Sequence, residues 1–177
     1  KEKAAILEIC NETDCRVRVV PGIYQLVNGD AILDAVKDIQ VEDLLGRKAV
    51  KLDQSALDEF LGGKIVMVTG GGGSIGSELC RQIAKCKPQK IIVLDVYENN
   101  AYDIQQELHH VYGERLKLEV VIASIRDKER IYSIFERCRP EIVFHAAAHK
   151  HVPFMEENPG EAIKNNVFGT YHVVRAA

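Results

Sequence analysis

Short apolar runs alternate with helical periodicities along the last two thirds of the chain. The runs 65–68 and 91–94 are apolar throughout, which is typical of strands that are covered on both faces in a parallel sheet. Between them, Ile75, Leu79 and Ile83 recur at helical spacing. Repeated strand–helix units of this kind predict an α/β domain with a parallel sheet and right-handed crossovers.

The same patterns give the expected elements of residues 61–177. The predicted strands are 65–69, 90–95, Leu116–Ile122 and Glu141–His145, and the predicted helices are Ser74–Cys86, Asn99–Tyr112, Asp127–Cys138 and about Pro159 to the end. We expect a Rossmann-type sheet with strand order 3-2-1-4, incomplete, with a ligand above the switch point beside the first strand.

Residues 1–60 show no pattern of a self-contained domain. The expected elements are a helix over Lys1–Asn11, a strand over Val17–Val20, a turn at Asn28–Asp30, an ambiguous stretch Ala31–Gln40, a helical turn at Val41–Gly46 and a helix Ser55–Leu61 capped by Ser55. We therefore expect residues 1–60 to be the tail of an upstream α/β unit plus a connector, and residues 61–177 to form a second domain.

A glycine-rich turn joins the first strand of this domain to its helix. Gly71, Gly73 and Gly76 match G-x-G-x-x-G, and Gly70, Gly73 and Gly76 match the variant T-G-x-x-G-x-x-G. Glycines in such a turn allow positive φ and a close approach of the backbone to a pyrophosphate. The helix start at Ser74 and Ile75 would present free N–H groups to the phosphates. A P-loop is excluded because no Gly-Lys-Ser/Thr follows.

An acidic residue strengthens this interpretation. Asp95 ends the second apolar run, nineteen residues after Gly76, where a Rossmann fold places the carboxylate that binds the adenosine ribose. The sequence therefore predicts a dinucleotide cofactor. Asp95 favours NAD, because a carboxylate repels a 2′-phosphate, and NADP stays open.

Further candidate cofactor residues follow the third and fourth strands. They are Ser124 and Ile125 on the adenine side, the small residues Ala146, Ala147 and Ala148, the cation Lys150, and Asn166 in the last helix. Other roles stay open for this part of the chain. Asp127, which follows Ser124 and Ile125, could cap the next helix, and the three alanines could be core packing residues. Asn165, which precedes Asn166 in the predicted helix, could have a solvent-facing side chain. His145, His149 and His151 lack the cysteine or acidic partners of usual metal sites, so we expect no metal.

Composition narrows the function classes. The chain has 177 residues and a net charge of −3, which gives no general attraction to nucleic acid or anionic lipid. No apolar run approaches a membrane span. The odd count of five cysteines, with no C-x-x-C pair, is typical of reduced thiols in a cytosolic protein.

Three segments together resemble a known family. The segments are 68–80, 145–153 and 166–170, and they resemble the extended short-chain dehydrogenase/reductases. Within these, the chain is most similar to bacterial nucleotide-sugar 4,6-dehydratases of the UDP-N-acetylglucosamine type. Residues 21–24 and 41–47 resemble the long, membrane-anchored members, in which transmembrane helices and a first nucleotide-binding-like domain precede the dehydratase.

This resemblance implies a lyase of surface polysaccharide synthesis on the cytoplasmic side of the inner membrane. The bound NAD(P)⁺ would oxidise sugar carbon 4, a base would remove the carbon 5 proton, water would leave carbon 6, and hydride would return there. The family's catalytic residues are a Thr-Asp-Lys stretch and a Tyr or Met followed by Lys on the next helix, and neither has a counterpart here. We therefore expect no catalytic residue in these 177 residues and no activity from them alone. A related epimerase or reductase and a non-catalytic dinucleotide-sensing module are the alternatives. An unpaired fourth strand would favour a homo-oligomer.

Overall fold

The computed structural model describes residues 18–19, 37–38 and 53–177. The chain divides into two compact units, Lys1–Leu52 and Asp53–Ala177. In the first unit, strands β1 (Arg18–Val19) and β2 (Lys37–Asp38) pair antiparallel, with Arg18 opposite Asp38. β1 falls within the predicted strand 17–20, and β2 falls within the ambiguous stretch 31–40. The elements predicted at 1–11, 28–30 and 41–46 lie outside the described residues.

The second unit is built on a four-stranded parallel sheet. Its strands are β3 (Ile65–Thr69), β4 (Lys90–Asp95), β5 (Leu118–Ile122) and β6 (Ile142–His145). They lie in the order β5-β4-β3-β6, and Val68 of β3 is opposite Val93 on one side and Phe144 on the other. The predicted Rossmann-type sheet with order 3-2-1-4 is therefore confirmed.

Seven α-helices accompany the sheet in residues 53–177. They are α1 (Gln54–Leu61), α2 (Ser74–Lys85), α3 (Glu98–Tyr112), α4 (Lys128–Cys138), α5 (Val152–Glu157), α6 (Pro159–Ala162) and α7 (Thr170–Ala176). A 3₁₀ turn, Gly113–Arg115, precedes β5, and a π-helix, Ile163–Gly169, joins α6 to α7. None of the helices in this part of the chain has both the length and the apolarity of a membrane span.

The element boundaries correct several expectations. The N-cap of α1 is Asp53 rather than Ser55, because the Asp53 carboxylate accepts hydrogen bonds from the N–H groups of Ser55 and Ala56. The last helix is not regular from Pro159 onward, since its middle is a π-helix. The additional helix α5 lies between the predicted strand Glu141–His145 and the predicted helix from Pro159, where the sequence analysis expected no element.

Each face of the sheet has its own hydrophobic core. On one face, Val66, Val68 and Val93 pack with Ile83 of α2 and Ile104 of α3, and Leu57 and Leu61 of α1 join this cluster. On the other face, Met67 and Ile92 pack with Ile131 and Ile134 of α4 and Val173 of α7. Both faces are therefore covered, which explains why the β3 and β4 sequences are continuous apolar runs. The three cysteines of residues 53–177, namely Cys80, Cys86 and Cys138, are free and buried.

Candidate dinucleotide-binding cleft

The glycine turn after β3 brings three parts of the chain into close contact. Gly70 has φ +68°, and a Cβ there would lie 2.7 Å from the backbone of Ala146, which follows β6. A Cβ on Gly76 would lie 1.9 Å from the carbonyl oxygen of Gly70. Glycine is thus required at Gly70 by both conformation and space, and at Gly76 by the packing of α2 on the turn.

The first turn of α2 leaves backbone donors without side-chain caps. Its N-cap is Gly73, which makes no side-chain cap bond, and the Ser77 N–H donates to the Gly73 carbonyl over 2.8 Å. The N–H groups of Ser74, Ile75 and Gly76 precede that bond and belong to the unpaired donors of a helix start. Ile75 is 70% exposed at this end of the helix, unlike Ile83 of the same apolar pattern, which is buried. The arrangement suits an anionic phosphate.

Asp95 is the last residue of β4, contacts the glycine turn and is 8% exposed. One carboxylate oxygen accepts the Gly72 N–H over 2.8 Å, and the other accepts the Tyr97 N–H over 2.9 Å. The sequence placed Asp95 at the site but did not show that it also holds the turn. A carboxylate has about four acceptor positions, so two bonds leave capacity for ribose hydroxyls.

A cleft of about 200 Å³ opens at the carboxyl ends of the strands. Eight of the predicted residues line it, namely Gly70, Gly73, Asp95, Ser124, Ile125, Ala146, Ala147 and Ala148. Six lining residues were not singled out as cofactor contacts, namely Leu94, Val96, Asn100, Ala123, His149 and Asn165. This volume is below the usual range of about 300–1,000 Å³ for sites that enclose a whole drug-sized ligand. The cleft would therefore enclose part of a dinucleotide and leave the rest at its opening.

Five predicted site residues do not line the cleft itself. Ser74, Ile75 and Gly76 belong to the helix start described above, and Lys150 is an exposed residue beside His149. Asn166 is bonded to the backbone of His149, which lines the cleft. Its Oδ1 accepts the His149 N–H and its Nδ2 donates to the His149 carbonyl, both over 2.9 Å.

The two asparagines of the π-helix differ from the expectation. Asn165, for which a solvent-facing side chain was an open alternative, is 9% exposed and lines the cleft. Its Nδ2 donates to the Ala147 carbonyl over 3.4 Å and to Asn166 Oδ1 over 3.0 Å. Poor helix propensity in mid-helix was the signal that marked this pair.

The loop after β5 forms the other wall. The Ser124 hydroxyl accepts the Arg126 N–H, and the Asp127 carboxylate accepts the Arg130 N–H over 3.0 Å, so Asp127 caps α4. Ile125 is only 3% exposed and belongs to the second core cluster, although it reaches the cleft. The Ile125 side chain therefore packs mainly in the hydrophobic core.

His145 lies at the end of β6 between two hydroxyl groups. Its Nδ1 is 2.7 Å from Thr69 Oγ1 and its Nε2 is 3.0 Å from Thr170 Oγ1. Desolvation lowers the pKa of His145 below its usual value. Among the described residues no cluster of three or more histidine, cysteine or acidic side chains is arranged to hold a metal ion.

These features together fit a dinucleotide. Small residues at Gly73 and Ala146–Ala148 allow close approach of the backbone, the helix start supplies donors, and Asp95 supplies a positioned acceptor. Parallel strands in the order β5-β4-β3-β6 put the Asp95 and Ser124 end on one side of the glycine turn and the alanines on the other.

Comparison with known proteins agrees with this geometry. The family described as polysaccharide biosynthesis protein matches residues 66–177. The chain belongs to this family. The expectation of a polysaccharide-synthesis relative, made from the sequence, is therefore confirmed.

Individual members of the family and related structures extend the comparison. The capsular polysaccharide biosynthesis protein CapD of Staphylococcus aureus is 46% identical over 97% of this chain and 29% of CapD. A UDP-N-acetylglucosamine 4,6-dehydratase (inverting) of Campylobacter jejuni is 36% identical over 64% of this chain and 32% of the relative. The chain described here thus spans about a third of the length of these curated relatives.

A solved structure shows the same fold with a cofactor. It is a UDP-glucose 4-epimerase from Stenotrophomonas maltophila with bound NAD and formylated UDP-arabinopyranose. The structural match has a TM-score of 0.57 and 26% identity, and covers 64% of this chain and 33% of the epimerase. The NAD in that relative agrees with the cofactor that the glycine turn and Asp95 predict here.

Proposed function

We propose that this chain is the cofactor-binding portion of a nucleotide-sugar-modifying enzyme of polysaccharide biosynthesis, with NAD as its preferred dinucleotide. The observation that carries the proposal is the cleft in which the glycine turn, the uncapped start of α2 and Asp95 converge. Bound NAD would supply oxidation and reduction of the sugar. The residues of this chain bind and orient it.

The proposed domain assignment follows from the same cleft. Residues 61–177 would form the amino-terminal part of the NAD(P)-binding Rossmann domain, and residues 1–60 a remnant of an upstream nucleotide-binding-like domain plus a connector. The helix α1, which was assigned to the connector, packs on the first core cluster through Leu57 and Leu61. We propose that a longer chain that carries this sequence is anchored in the inner membrane and faces the cytoplasm, as the resemblance to the long, membrane-anchored members implies.

Each cleft residue has a proposed role. Gly70 and Gly73 let the pyrophosphate approach the backbone, and the N–H groups of Ser74, Ile75 and Gly76 donate to it. Asp95 accepts from the adenosine ribose. Ser124 and Ile125 form the adenine side of the cleft.

The remaining cleft residues act on the other half of the dinucleotide. Ala146, Ala147 and Ala148 leave room for the second ribose, and Lys150 is a cationic contact at the rim. Asn166 acts on this side through the backbone of His149.

Calorimetric titration with NAD⁺ and NADP⁺ tests the cofactor. We expect saturable NAD⁺ binding by the chain, and a loss of roughly tenfold or more in Asp95→Ala, because hydrogen bonds to a charged group contribute about 1.5–3 kcal/mol. Asp95→Asn should narrow the ratio of NAD⁺ to NADP⁺ affinity, since it removes the charge that repels a 2′-phosphate. Asp103→Ala, an exposed carboxylate change on α3, is the matched control and should leave both affinities unchanged. If neither dinucleotide binds, or Asp95→Asn keeps the ratio, the assignment of this site is wrong.

The reaction that we propose for the whole enzyme is 4,6-dehydration of UDP-N-acetylglucosamine to the 4-keto-6-deoxy sugar. Support comes from the similarity to the Campylobacter dehydratase. Because the catalytic residues of that family have no counterpart in these residues, the test needs a longer chain that carries this sequence. Incubation with UDP-N-acetylglucosamine in D₂O should give a 4-keto-6-deoxy product with deuterium at carbon 5. A base removes the carbon 5 proton during dehydration, and a deuteron from the solvent replaces it when hydride adds to carbon 6.

A second candidate is a nucleotide-sugar 4-epimerase, which the structural match to UDP-glucose 4-epimerase favours. The same experiment separates the two. An epimerase would return a sugar inverted at carbon 4 that retains its carbon 6 hydroxyl and has no deuterium at carbon 5. A chain that binds NAD⁺ but converts no nucleotide sugar in its longer form would instead be a dinucleotide-sensing module.

A further inference from the structure

The two walls of the cleft are attached to one continuous helical segment. This segment, defined here as residues 159–176, comprises α6, the π-helix and α7. Its Asn166 contacts the wall after β6, and its His172 contacts the wall after β5. The segment is far in sequence from both walls, so neither wall is held by local structure alone.

On the β6 side, Asn166 pairs with His149 as a neighbouring strand would. Its side-chain amide accepts from the N–H and donates to the carbonyl of the same residue, both over 2.9 Å. Asn165, the preceding residue, bonds Ala147 and Asn166. Both asparagines lie in the π-helix, and both amides reach the same wall.

On the β5 side, His172 donates from Nδ1 to the carbonyl oxygen of Ile125 over 3.1 Å. Two further contacts reach the same loop. Arg126 forms an ion pair with Glu161 over 2.7 Å, and a Cβ on Gly169 would lie 2.6 Å from Ile125 Cδ1, so the helix lies directly on the Ile125 side chain. The loop that carries Ser124 and Ile125 is therefore attached at a hydrogen bond, an ion pair and a packing contact.

We infer that Asn166 and His172 are positioning residues, each for a different half of the dinucleotide. The inference rests on the proposed function, because it assigns the adenine half to the His172 wall and the second nucleotide half to the Asn166 wall. Neither residue needs to touch the cofactor: the backbones of Ile125 and His149 do so in the geometry that these side chains impose. An ordered wall binds more tightly because less loop entropy is lost on binding.

Two ligands of different length separate the two roles. AMP carries only the adenine half, and NAD⁺ carries both. His172→Ala should weaken AMP and NAD⁺ by a similar factor, roughly five- to tenfold for one lost hydrogen bond. Asn166→Ala should weaken NAD⁺ by a comparable factor and leave AMP binding unchanged.

Conservative variants test whether the hydrogen bonds themselves matter. His172→Asn keeps a side-chain N–H near the position of Nδ1 and should restore AMP binding. Asn166→Asp keeps the acceptor for the His149 N–H but loses the donor to the His149 carbonyl, and should restore NAD⁺ binding in part. Gln89→Ala changes an exposed amide before β4, at the opposite end of the sheet, and serves as the control.

Amide hydrogen exchange provides a measurement that needs no ligand. Exchange at the His149 N–H should speed up in Asn166→Ala and stay slow in Asn166→Asp, while the amides of β3 and β4 keep their protection. If the wild-type chain binds neither AMP nor NAD⁺, the proposed function fails. If it binds both, the positioning roles are wrong when Asn166→Ala weakens AMP as much as NAD⁺, when His172→Ala leaves AMP binding unchanged, or when exchange at His149 is unchanged in Asn166→Ala.

Discussion

Gly76 lies where the first turn of α2 crosses the backbone of the glycine turn. A methyl group there would overlap the Gly70 carbonyl oxygen at 1.9 Å, and neither backbone can move without disturbing β3 or α2. Gly160, in α6, has no heavy atom within 4 Å of an added Cβ. Packing therefore requires glycine at Gly76 but leaves room for a side chain at Gly160, although both residues lie in helices.

Alanine substitutions at these glycines should have opposite effects. We expect Gly76→Ala to lower the free energy of unfolding by about 2 kcal/mol or more through overpacking, and to abolish dinucleotide binding. Gly160→Ala should leave binding intact and stabilise the protein by up to about 1 kcal/mol, because alanine is the better helix residue. Urea unfolding and calorimetric titration of both variants provide the comparison. Equal stability of the two variants would contradict the close contact at Gly76.

At the scale of elements, His145 connects two strands and a helix at the ligand end of the sheet. Its ring nitrogens are hydrogen-bonded to Thr69, the last residue of β3, and to Thr170, the first residue of α7. A neutral imidazole has one donor and one acceptor nitrogen, and hydroxyl groups can serve either. Protonation would force both nitrogens to donate and would place a charge in a partly desolvated position.

The lowered pKa of His145 predicts a pH dependence of stability. The unfolded chain takes up a proton near pH 6.5, before the folded protein does, so stability should decrease as the pH falls from 6.5 through the lower folded pKa. Above pH 6.5 this contribution is complete. His145→Asn should therefore lose more stability relative to wild type at pH 7.5 than at pH 5.5 in urea unfolding. His110→Asn, at an exposed position of α3, is the control, and a constant difference between wild type and His145→Asn would refute the prediction.

For the second unit as a whole, the cleft and an ion-pair network around Glu119 lie at opposite ends of the sheet. The cleft lies at the carboxyl ends of the strands, whereas Glu119 near the start of β5 connects Lys90 of β4 to Arg137 of α4. Burial opposes ionisation of Glu119, but its hydrogen bonds to Lys90 and Arg137 outweigh that effect and lower its pKa. We therefore expect that a substitution at Glu119 leaves the cleft at the other end of the sheet unchanged.

Glu119→Gln should destabilise the protein without weakening dinucleotide binding. Near neutral pH we expect a loss of about 1 kcal/mol or more, because two cations lose a half-buried partner. The stabilisation by Glu119 is complete above pH 4.5 and disappears as the pH falls through its lower folded pKa, so wild type and variant should converge in acid. Chemical unfolding at several pH values measures this, and NAD⁺ titration at pH 7.5 measures binding. A reduced NAD⁺ affinity at a pH where the variant is fully folded would show that the two ends are coupled.

Sequence patterns were sufficient for most of the second unit and for eight of the fourteen residues that line its cleft. The strands and their order, the glycine turn and Asp95 depend on periodicity, glycine conformation and a fixed spacing, all of which are local. Asn165 and Ile125 were harder to place. Asn165 is buried, and Ile125 packs in the core cluster between the sheet, α4 and α7, which depends on tertiary contacts. The cap of α1 at Asp53 was missed because two neighbouring residues, Asp53 and Ser55, both suit a cap.

By itself, the sequence determined the alternation of strands and helices, the family resemblance and the type of ligand, since these follow from residue types within short windows. Only the tertiary structure decided how the site is held together: Asp95 bonded to the backbone of Gly72, the asparagine amides turned to Ala147 and His149, and His172 bonded to Ile125. Each of these contacts joins residues at least 17 positions apart in the chain. The asparagine and His172 contacts depend on the packing of the helical segment 159–176 against the sheet, and the Asp95 contact depends on the pairing of β3 with β4. No local pattern specifies either arrangement.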